Sequence, residues 1–558
     1  MLSTYDQRPW LSLYADGVPS EAQPQHASAL AAWDHQVAER GQQPFLYAFD
    51  DVLTFERVDA DADALAVALV EGGFSRGDRA AVYLQNDVAW VVTLLAAWKA
   101  GGVVVPLNPM YRSKELDYHL NDSGATVLVC LESLYRQCPS GVLEGTPVRR
   151  VITTHPGDYL QEQTSRQALA RHHPEGKDVP GGTEDLQALI ERHAGQRPEP
   201  VDLTLDDVGM LPYTSGTTGP PKGAMNTHRN ILHSSRVFRD WFFLGDDDVI
   251  LGVAPLFHIT GLIGHITTAM VAGVPLILFH RFHAGETLRL IERWRATFTV
   301  GSITVFLALL DEPGVGEADL SSLTKVASGG APVSPAIVDR FEKATGAYIH
   351  TVYGMTETTS PSHFTPLGAR GPVDEDTGAL SVGVPVTGAR SRIVDIDSRE
   401  TLPVGEVGEI VVEGPMIAAG YWQKDEETEK AMPGGAMHTG DVGKMDEQGW
   451  FYVVDRAKDQ INAGGYKIWP REVEDVLYEH DAVREAAVIG VPDSYRGETV
   501  KAFVAVDPDA GVTADELIAF CRERLAAYKY PRDLEIVDEV PKTPTGKFLR
   551  RELRDRED

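Results

Sequence analysis

Between residues 60 and 131 the chain alternates helical apolar spacing with short runs that are apolar at every position, and this restricts the fold more than any other feature. Ala60 to Val70 carries apolar residues at helical spacing, Arg79 to Leu84 reads as a short strand, and Ala89 to Ala100 reads as an apolar helix ended by Gly101-Gly102. Val103 to Pro106 is then a buried strand, Leu116 to Asn121 is helical, and Thr126 to Cys130 is a strand again. Strands apolar on both faces need cover on both faces. They belong to parallel βαβ units and argue against a sandwich.

At 558 residues the chain is too long for one core. From about Ser140 to Pro200 it turns polar and rich in His, Gly, Pro and Glu, which reads as a surface excursion between two halves. A second α/β run follows from Leu211 to about Ala389, and short strands between Gly/Asp turns fill 390–455. The last hundred residues read as a separate α+β unit, with helices near Glu472 to Glu479 and Ala514 to Leu525 and strands at Ala486 to Ile489 and Lys501 to Val506. The expected fold class is therefore α/β: a large N-terminal domain of two α/β subdomains (about 1–200 and 201–389) with a small β-unit (390–455), then a small α+β C-terminal domain.

Charge bounds the partners. With 51 Lys+Arg against 82 Asp+Glu the net charge is −31, a field that repels nucleic acid and anionic lipid. Three cysteines (Cys130, Cys138, Cys521) without metal spacing fit a reducing compartment. The N-terminus lacks a basic region followed by an apolar run, and Ile259 to Phe279, free of Lys, Arg, Asp and Glu, reads as a buried helix and strand rather than a membrane span. A soluble, cytoplasmic protein without an integral membrane segment is expected, and a homodimer is compatible with these features.

The segment that carries most chemistry is Tyr213-Thr-Ser-Gly-Thr-Thr-Gly-Pro-Pro-Lys-Gly223. Its backbone N–H groups and hydroxyls can wrap a polyphosphate, with Lys222 adding charge. It is not a Walker A loop, because GxxxxGK[ST] is absent. A plain turn is the ordinary reading of such a loop, and it fails here because the loop opens an ordered set. Pro255-Leu-Phe-His258, Ser328-Gly-Gly-Ala-Pro332 and Val352-Tyr-Gly-Met-Thr-Glu-Thr358 follow. His438-Thr-Gly-Asp441, Asp455-Arg-Ala-Lys-Asp459, Gly464-Gly-Tyr-Lys467 and Pro541-Lys-Thr-Pro-Thr-Gly-Lys547 complete it.

In this set the chain resembles, over essentially its whole length, the adenylate-forming (ANL, AMP-binding) superfamily of acyl-CoA synthetases, adenylation domains and luciferases, and most of all bacterial fatty-acyl-CoA ligases. The resemblance implies an enzyme using ATP, Mg2+ and coenzyme A: a carboxylate is activated as acyl-adenylate with release of pyrophosphate, and the acyl group then passes to a thiol. It implies Lys547 as the catalytic lysine between carboxylate and α-phosphate, and its segment, Pro541 to Arg551, is locally basic. Thr356 and Glu357 join Lys547 as catalytic residues, and Glu357 becomes the Mg2+ ligand with Thr214. Thr214, Ser215, Gly216, Thr217, Thr218, Gly219 and Lys222 become the phosphate site. Gly330, Ala331, Pro332, Tyr353, Gly354 and Met355 take the adenine side, and Asp441 and Arg456 the ribose. Lys458 becomes the hinge between residues 1–458 and a mobile lid, 459–558, whose Gly464, Gly465, Tyr466 and Lys467 line a pantetheine channel in a second arrangement.

For the acid, the stretch Pro255 to Gly264 holds no carboxylate to pair an amino-acid ammonium. His258, Thr260, Gly261, Ser302 and Phe306 are expected in the acyl pocket, His258 also among the catalytic residues. A medium- or long-chain fatty acid is the first expectation. An aryl or arylpropenoic acid, or transfer to an acyl-carrier protein, is the alternative, and a non-catalytic adenylate-binding protein the remote one.

Overall fold

Four sheets organise the described chain, and two of them are the doubly covered parallel sheets that the apolar runs require. The structure is a computed structural model. It describes residues 4–556 except 139–140, 172, 174–175, 215–219, 376, 457–458, 460, 464–465, 494–496 and 544–547, and at 455–456, 462, 466–467, 497, 551 and 555 the backbone alone.

The first sheet has seven strands in the order Glu184–Asp185, Arg150–Thr154, Val127–Leu131, Arg79–Tyr83, Val103–Pro106, Val208–Met210 and Asn226–Thr227. All pairs are parallel except the last. The second sheet has nine. Its parallel centre runs Pro44–Ala48, Leu276–Leu278, Ile250–Leu251, Phe298–Gly301, Lys325–Gly329 and Ile349–Met355, and antiparallel strands lie outside it on both edges. Helix Val88–Lys99 is buried from Val88 to Trp98, as an all-round apolar helix must be. Asp87 caps it, its side chain accepting from the Trp90 N–H at 3.2 Å.

Two expectations are corrected here. The polar stretch 140–200 is no excursion: Arg150–Thr154 is a strand registered on Val127–Leu131, and helices Gln163–Ala170 and Leu186–Arg192 follow. Its strand escaped notice because only five residues carry it, and its leading Arg150 is neutralised through the fold by Glu184 at 2.8 Å and the Ala68 carbonyl at 2.7 Å. Nor do the sheets divide near residue 200. Pro44–Ala48 joins the second sheet, and Val208–Met210 and Asn226–Thr227 join the first, so the two interleave along the chain. Ile259 to Phe279 is helical through Ala272 and ends in the buried strand Leu276–Leu278.

Beyond them lie a four-stranded antiparallel sheet (Arg390–Val394, Gly408–Glu413, Met437–Met445, Phe451–Arg456) and a five-stranded sheet formed from residues 461–536. The long hairpin Val483–Asp493 and Gly497–Val506 dominates the latter and exceeds the two short strands expected. Helix Pro470–Tyr478 joins this part to the rest through Arg471, whose guanidinium donates to the carbonyls of Val453 (2.6 Å), Val333 and Leu380 (both 3.4 Å). Lys458, the expected hinge, lies outside the described residues.

Candidate active site

In an open parallel sheet, ligands gather beyond the carboxyl ends of the strands. There the second sheet delivers Val253 to His258, Gly301-Ser302, Gly329-Gly330 and Tyr353 to Glu357 side by side. A cavity of about 690 Å3 opens against them, walled by Val253, Ala254, Pro255, His258, Thr260, Ser302 and Gly330, and by Pro541, Lys542 and Thr543 of the C-terminal part. The basic segment Pro541 to Arg551, which holds Lys547, thus begins at this cavity. Lys547 itself lies outside the described residues.

The neck of the glycine-rich loop is a closed turn. The Thr214 N–H donates to the Lys222 carbonyl (2.9 Å), and the Lys222 N–H donates to Thr214 Oγ1 (3.4 Å). Ser215, Gly216, Thr217, Thr218 and Gly219 lie outside the described residues. Asp122 braces this neck. Its carboxylate accepts from the Tyr213 hydroxyl (2.7 Å) and from Lys424 (2.8 Å), and Tyr118 donates to the Pro221 carbonyl (2.7 Å). Burial, and next the Asp122 carboxylate, hold the Tyr213 phenol in its protonated form.

Glu357 sits in the turn that follows Ile349–Met355. Gly354 is required there, because a Cβ would lie 1.5 Å from the Ser360 carbonyl oxygen. Thr359 and Ser360 take positive φ angles of 49° and 81° to reverse the chain. The Glu357 carbonyl accepts from the Ala418 N–H (2.8 Å), and its Oε1 accepts from the Tyr421 hydroxyl (2.7 Å). Lys222 Nζ lies 4.8 Å from the centre of the Tyr421 ring. The Glu357 carboxylate and the Thr214 hydroxyl are hard oxygen donors, a set that suits Mg2+ completed by substrate phosphates.

On the nucleoside side, Tyr353 donates to Asp441 Oδ2 at 2.8 Å, so the two expected residues form one unit. Asp441 is registered opposite Arg456, whose side chain lies outside the description. Gly330 has φ of 80° at the strand end, with Ala331 and Pro332 following it toward solvent. Gly464 and Gly465 lie outside the described residues, as do the side chains of Tyr466 and Lys467.

The acyl side needs two corrections. Phe306 is fully buried against Phe341 at 5.2 Å, edge to face, and the cavity is lined instead by Thr304, Val305 and Ala308. On a helix, 305 and 308 share a face that 306 does not. Gly261 is also set back, since a Cβ there would lie 2.2 Å from the Pro255 carbonyl oxygen. His258, Thr260 and Ser302 do line the cavity; His258 Nδ1 accepts from the Thr260 N–H at 3.3 Å. Met110 and Phe282 join them from loops that carry no motif.

The basic segment is less cationic than its composition. Lys542 pairs with Glu485 (2.5 Å) and Glu539 (2.9 Å), and Arg550 with Glu474 (2.7 Å) and Asp459 (3.5 Å).

Comparison with known proteins agrees with this geometry. Residues 33–422 match the AMP-binding enzyme family model, and 472–547 match the AMP-binding enzyme C-terminal domain. The long-chain-fatty-acid–CoA ligase of Bacillus subtilis (strain 168) is 36% identical over 564 residues, covering 99% of this chain and 98% of that protein. Feruloyl-CoA synthase of an Amycolatopsis species is 36% identical over 504 residues, covering 90% and 94%. Among solved structures, the anthranilate CoA ligase AuaEII with anthranoyl-AMP superposes at a TM-score of 0.86 (26% identity; 96% and 98% covered), and ATP-bound MatB of Rhodopseudomonas palustris at 0.81 (28%; 95% and 99%). The chain belongs to the AMP-binding enzymes. Its activity is AMP-forming, ATP-dependent ligation of a carboxylic acid to coenzyme A, with Mg2+ as the metal. Among the described residues no helix is long and apolar enough to cross a membrane.

Proposed function

We propose that the acid is a medium- or long-chain fatty acid and that the reaction runs in the cytoplasm. The observation that carries the substrate reading is the cavity itself: Met110, Phe282, Val305 and Ala308 line it with apolar groups, His258, Thr260 and Ser302 supply polar groups at the strand ends, and Glu539, Lys542, Glu552 and Arg556 line it from the C-terminal part. The relatives named as long-chain-fatty-acid–CoA ligases support it.

In this reading the glycine-rich loop and Lys222 hold the β- and γ-phosphates, Asp441 accepts from the ribose hydroxyls, and Gly330-Ala331-Pro332 lie along adenine beside Tyr353. Glu357 and Thr214 hold Mg2+, which when bound offsets phosphate charge. A carboxylate oxygen bonds to the α-phosphorus as the bond to the bridging β-phosphate oxygen breaks, and pyrophosphate leaves. Lys547 offsets the charge shared by the two anions at that moment. At ~4 Å and an effective dielectric near 20, one such pair is worth roughly 4 kcal/mol, about a thousandfold in rate if confined to the transition state. Closure of the lid keeps water from the adenylate. We further propose that residues 459–558 turn about Lys458 before the second step, replacing Lys547 with the loop Gly464 to Lys467. The CoA thiol, losing its proton, then attacks the acyl carbonyl and AMP leaves.

The test is kcat/KM for thioester formation across acids from hexanoate to stearate, with benzoate and ferulate in the same panel and pyrophosphate release followed in parallel. Rising kcat/KM with chain length supports the reading. Preference for ferulate assigns an arylpropenoic substrate instead. Pyrophosphate release without CoA thioester points to a carrier-protein acceptor.

A further inference from the structure

The phosphate loop and the metal carboxylate meet at one side chain that neither motif contains. Tyr421 is 4% exposed and carries opposite charges at two places: the Lys222 ammonium over its ring at 4.8 Å, and Glu357 Oε1 on its hydroxyl at 2.7 Å. Among the described residues Lys222 and Glu357 form no ion pair with each other. The backbone around Tyr421 is fastened to both sides. The Met225 N–H donates to the Gly420 carbonyl (2.9 Å), the Trp422 N–H to the Gly223 carbonyl (2.8 Å), and the Ala418 N–H to the Glu357 carbonyl (2.8 Å). The Tyr421 N–H is held by Thr428 Oγ1 (2.8 Å).

Without the ring that each of them meets, a lysine and a glutamate would be free to close into a salt bridge, leaving neither available to phosphate or metal. An aromatic ring accepts the cation on its face, and a phenol donates to the anion at its edge. We propose that Tyr421 is a positioning residue that holds Lys222 and Glu357 apart and aims the Glu357 carboxylate at the divalent cation.

This rests on the reading of Glu357 as metal ligand and Lys222 as phosphate ligand, and the test separates the two levels. Mn2+ binding to the full-length protein with adenosine 5′-(α,β-methylene)triphosphate is followed by the electron paramagnetic resonance of free Mn2+. Tyr421→Phe keeps the ring and removes the hydroxyl, and should weaken Mn2+ binding about tenfold with nucleotide affinity in the absence of metal unchanged. Tyr421→Leu removes both, lets Lys222 reach Glu357, and should weaken Mn2+ further and nucleotide as well. Glu357→Gln is the control, and thermal melting checks that each variant is folded. Wild-type Mn2+ affinity in Tyr421→Phe, with affinity lost in Glu357→Gln, overturns the positioning role alone. Equal behaviour of Tyr421→Leu and Tyr421→Phe overturns the separation of the charges. Unchanged affinity in Glu357→Gln overturns the metal reading and the inference together.

Discussion

Asn86 belongs to no motif, yet it ties the first sheet to the wall of the cavity proposed for the acid, and its removal should be felt there. Its Nδ2 donates to the carbonyls of Ala254 (2.9 Å) and Gly252 (3.4 Å), and its Oδ1 accepts from the Leu256 N–H (2.8 Å). Its backbone pairs with His280 in both directions, at 2.9 and 2.8 Å. In Asn86→Ala the Leu256 N–H loses its acceptor outright. The Ala254 carbonyl loses a donor at 2.9 Å, and the Gly252 contact is long and weak. A buried amide left unsatisfied costs about 1–3 kcal/mol and a neutral hydrogen bond contributes about 1 kcal/mol, so the sum is about 3 kcal/mol. Because Ala254 and Pro255 line the cavity, KM for the acid should rise while KM for ATP holds. Urea unfolding followed by tryptophan fluorescence gives the first quantity, and initial rates at saturating CoA give the second. A midpoint shift worth less than 1 kcal/mol, or a rise in KM for ATP equal to that for the acid, refutes the reasoning.

Other expectations follow from single positions. Burial raises the Asp87 carboxyl to about 7. A raised folded pKa means that its contribution is fully present below the unfolded value near 4 and is lost as pH climbs through about 7. Asn caps a helix as well as Asp, so Asp87→Asn should melt with wild type at pH 4 and above it at pH 8; a gap that does not widen with pH refutes this. Gly354→Ala forces a methyl onto the Ser360 carbonyl and should cost about 3 kcal/mol along with adenylation, read by melting and pyrophosphate release. Lys547→Ala should slow adenylation about a thousandfold yet leave thioester formation from supplied acyl-adenylate within a few-fold. Equal loss of both half-reactions would falsify the two-state assignment.

What was legible in the sequence was what is contiguous. The segment from Tyr213 to Gly223, the turn at Glu357 and the strand ends at Ser302 and Gly330 are each contained within a few residues, so residue type and order were enough to raise them as candidates. The residues missed are brought in from a distance by the fold. Tyr421 reaches Glu357 across 64 positions, Asn86 reaches Ala254 across 168, and Lys424 reaches Asp122 across 302. Met110 and Phe282 read as ordinary loop hydrophobes until the cavity gathers them. Phe306 was an error of phase rather than of region: the helix Ile303–Leu310 does border the pocket, but through the face of Val305 and Ala308.

The same distinction reinterprets the charge. A net −31 opposes every anionic substrate of this reaction, and the segment Pro541 to Arg551 looked like the local remedy. The fold uses part of that remedy for itself, because Glu485, Glu539 and Glu474 take up Lys542 and Arg550. Those pairs give the segment its course past the cavity, where Pro541, Lys542 and Thr543 line the wall. They also remove two of its cations from competition for phosphate. Surface acids beyond about 8–10 Å are screened at physiological salt, so the few cations within that range decide binding. Lys222 is proposed as one of them: among the described residues it meets no carboxylate and rests instead on the ring of Tyr421. In an acidic protein that binds anions, the arrangement that matters is the one that keeps a cation from finding an internal partner.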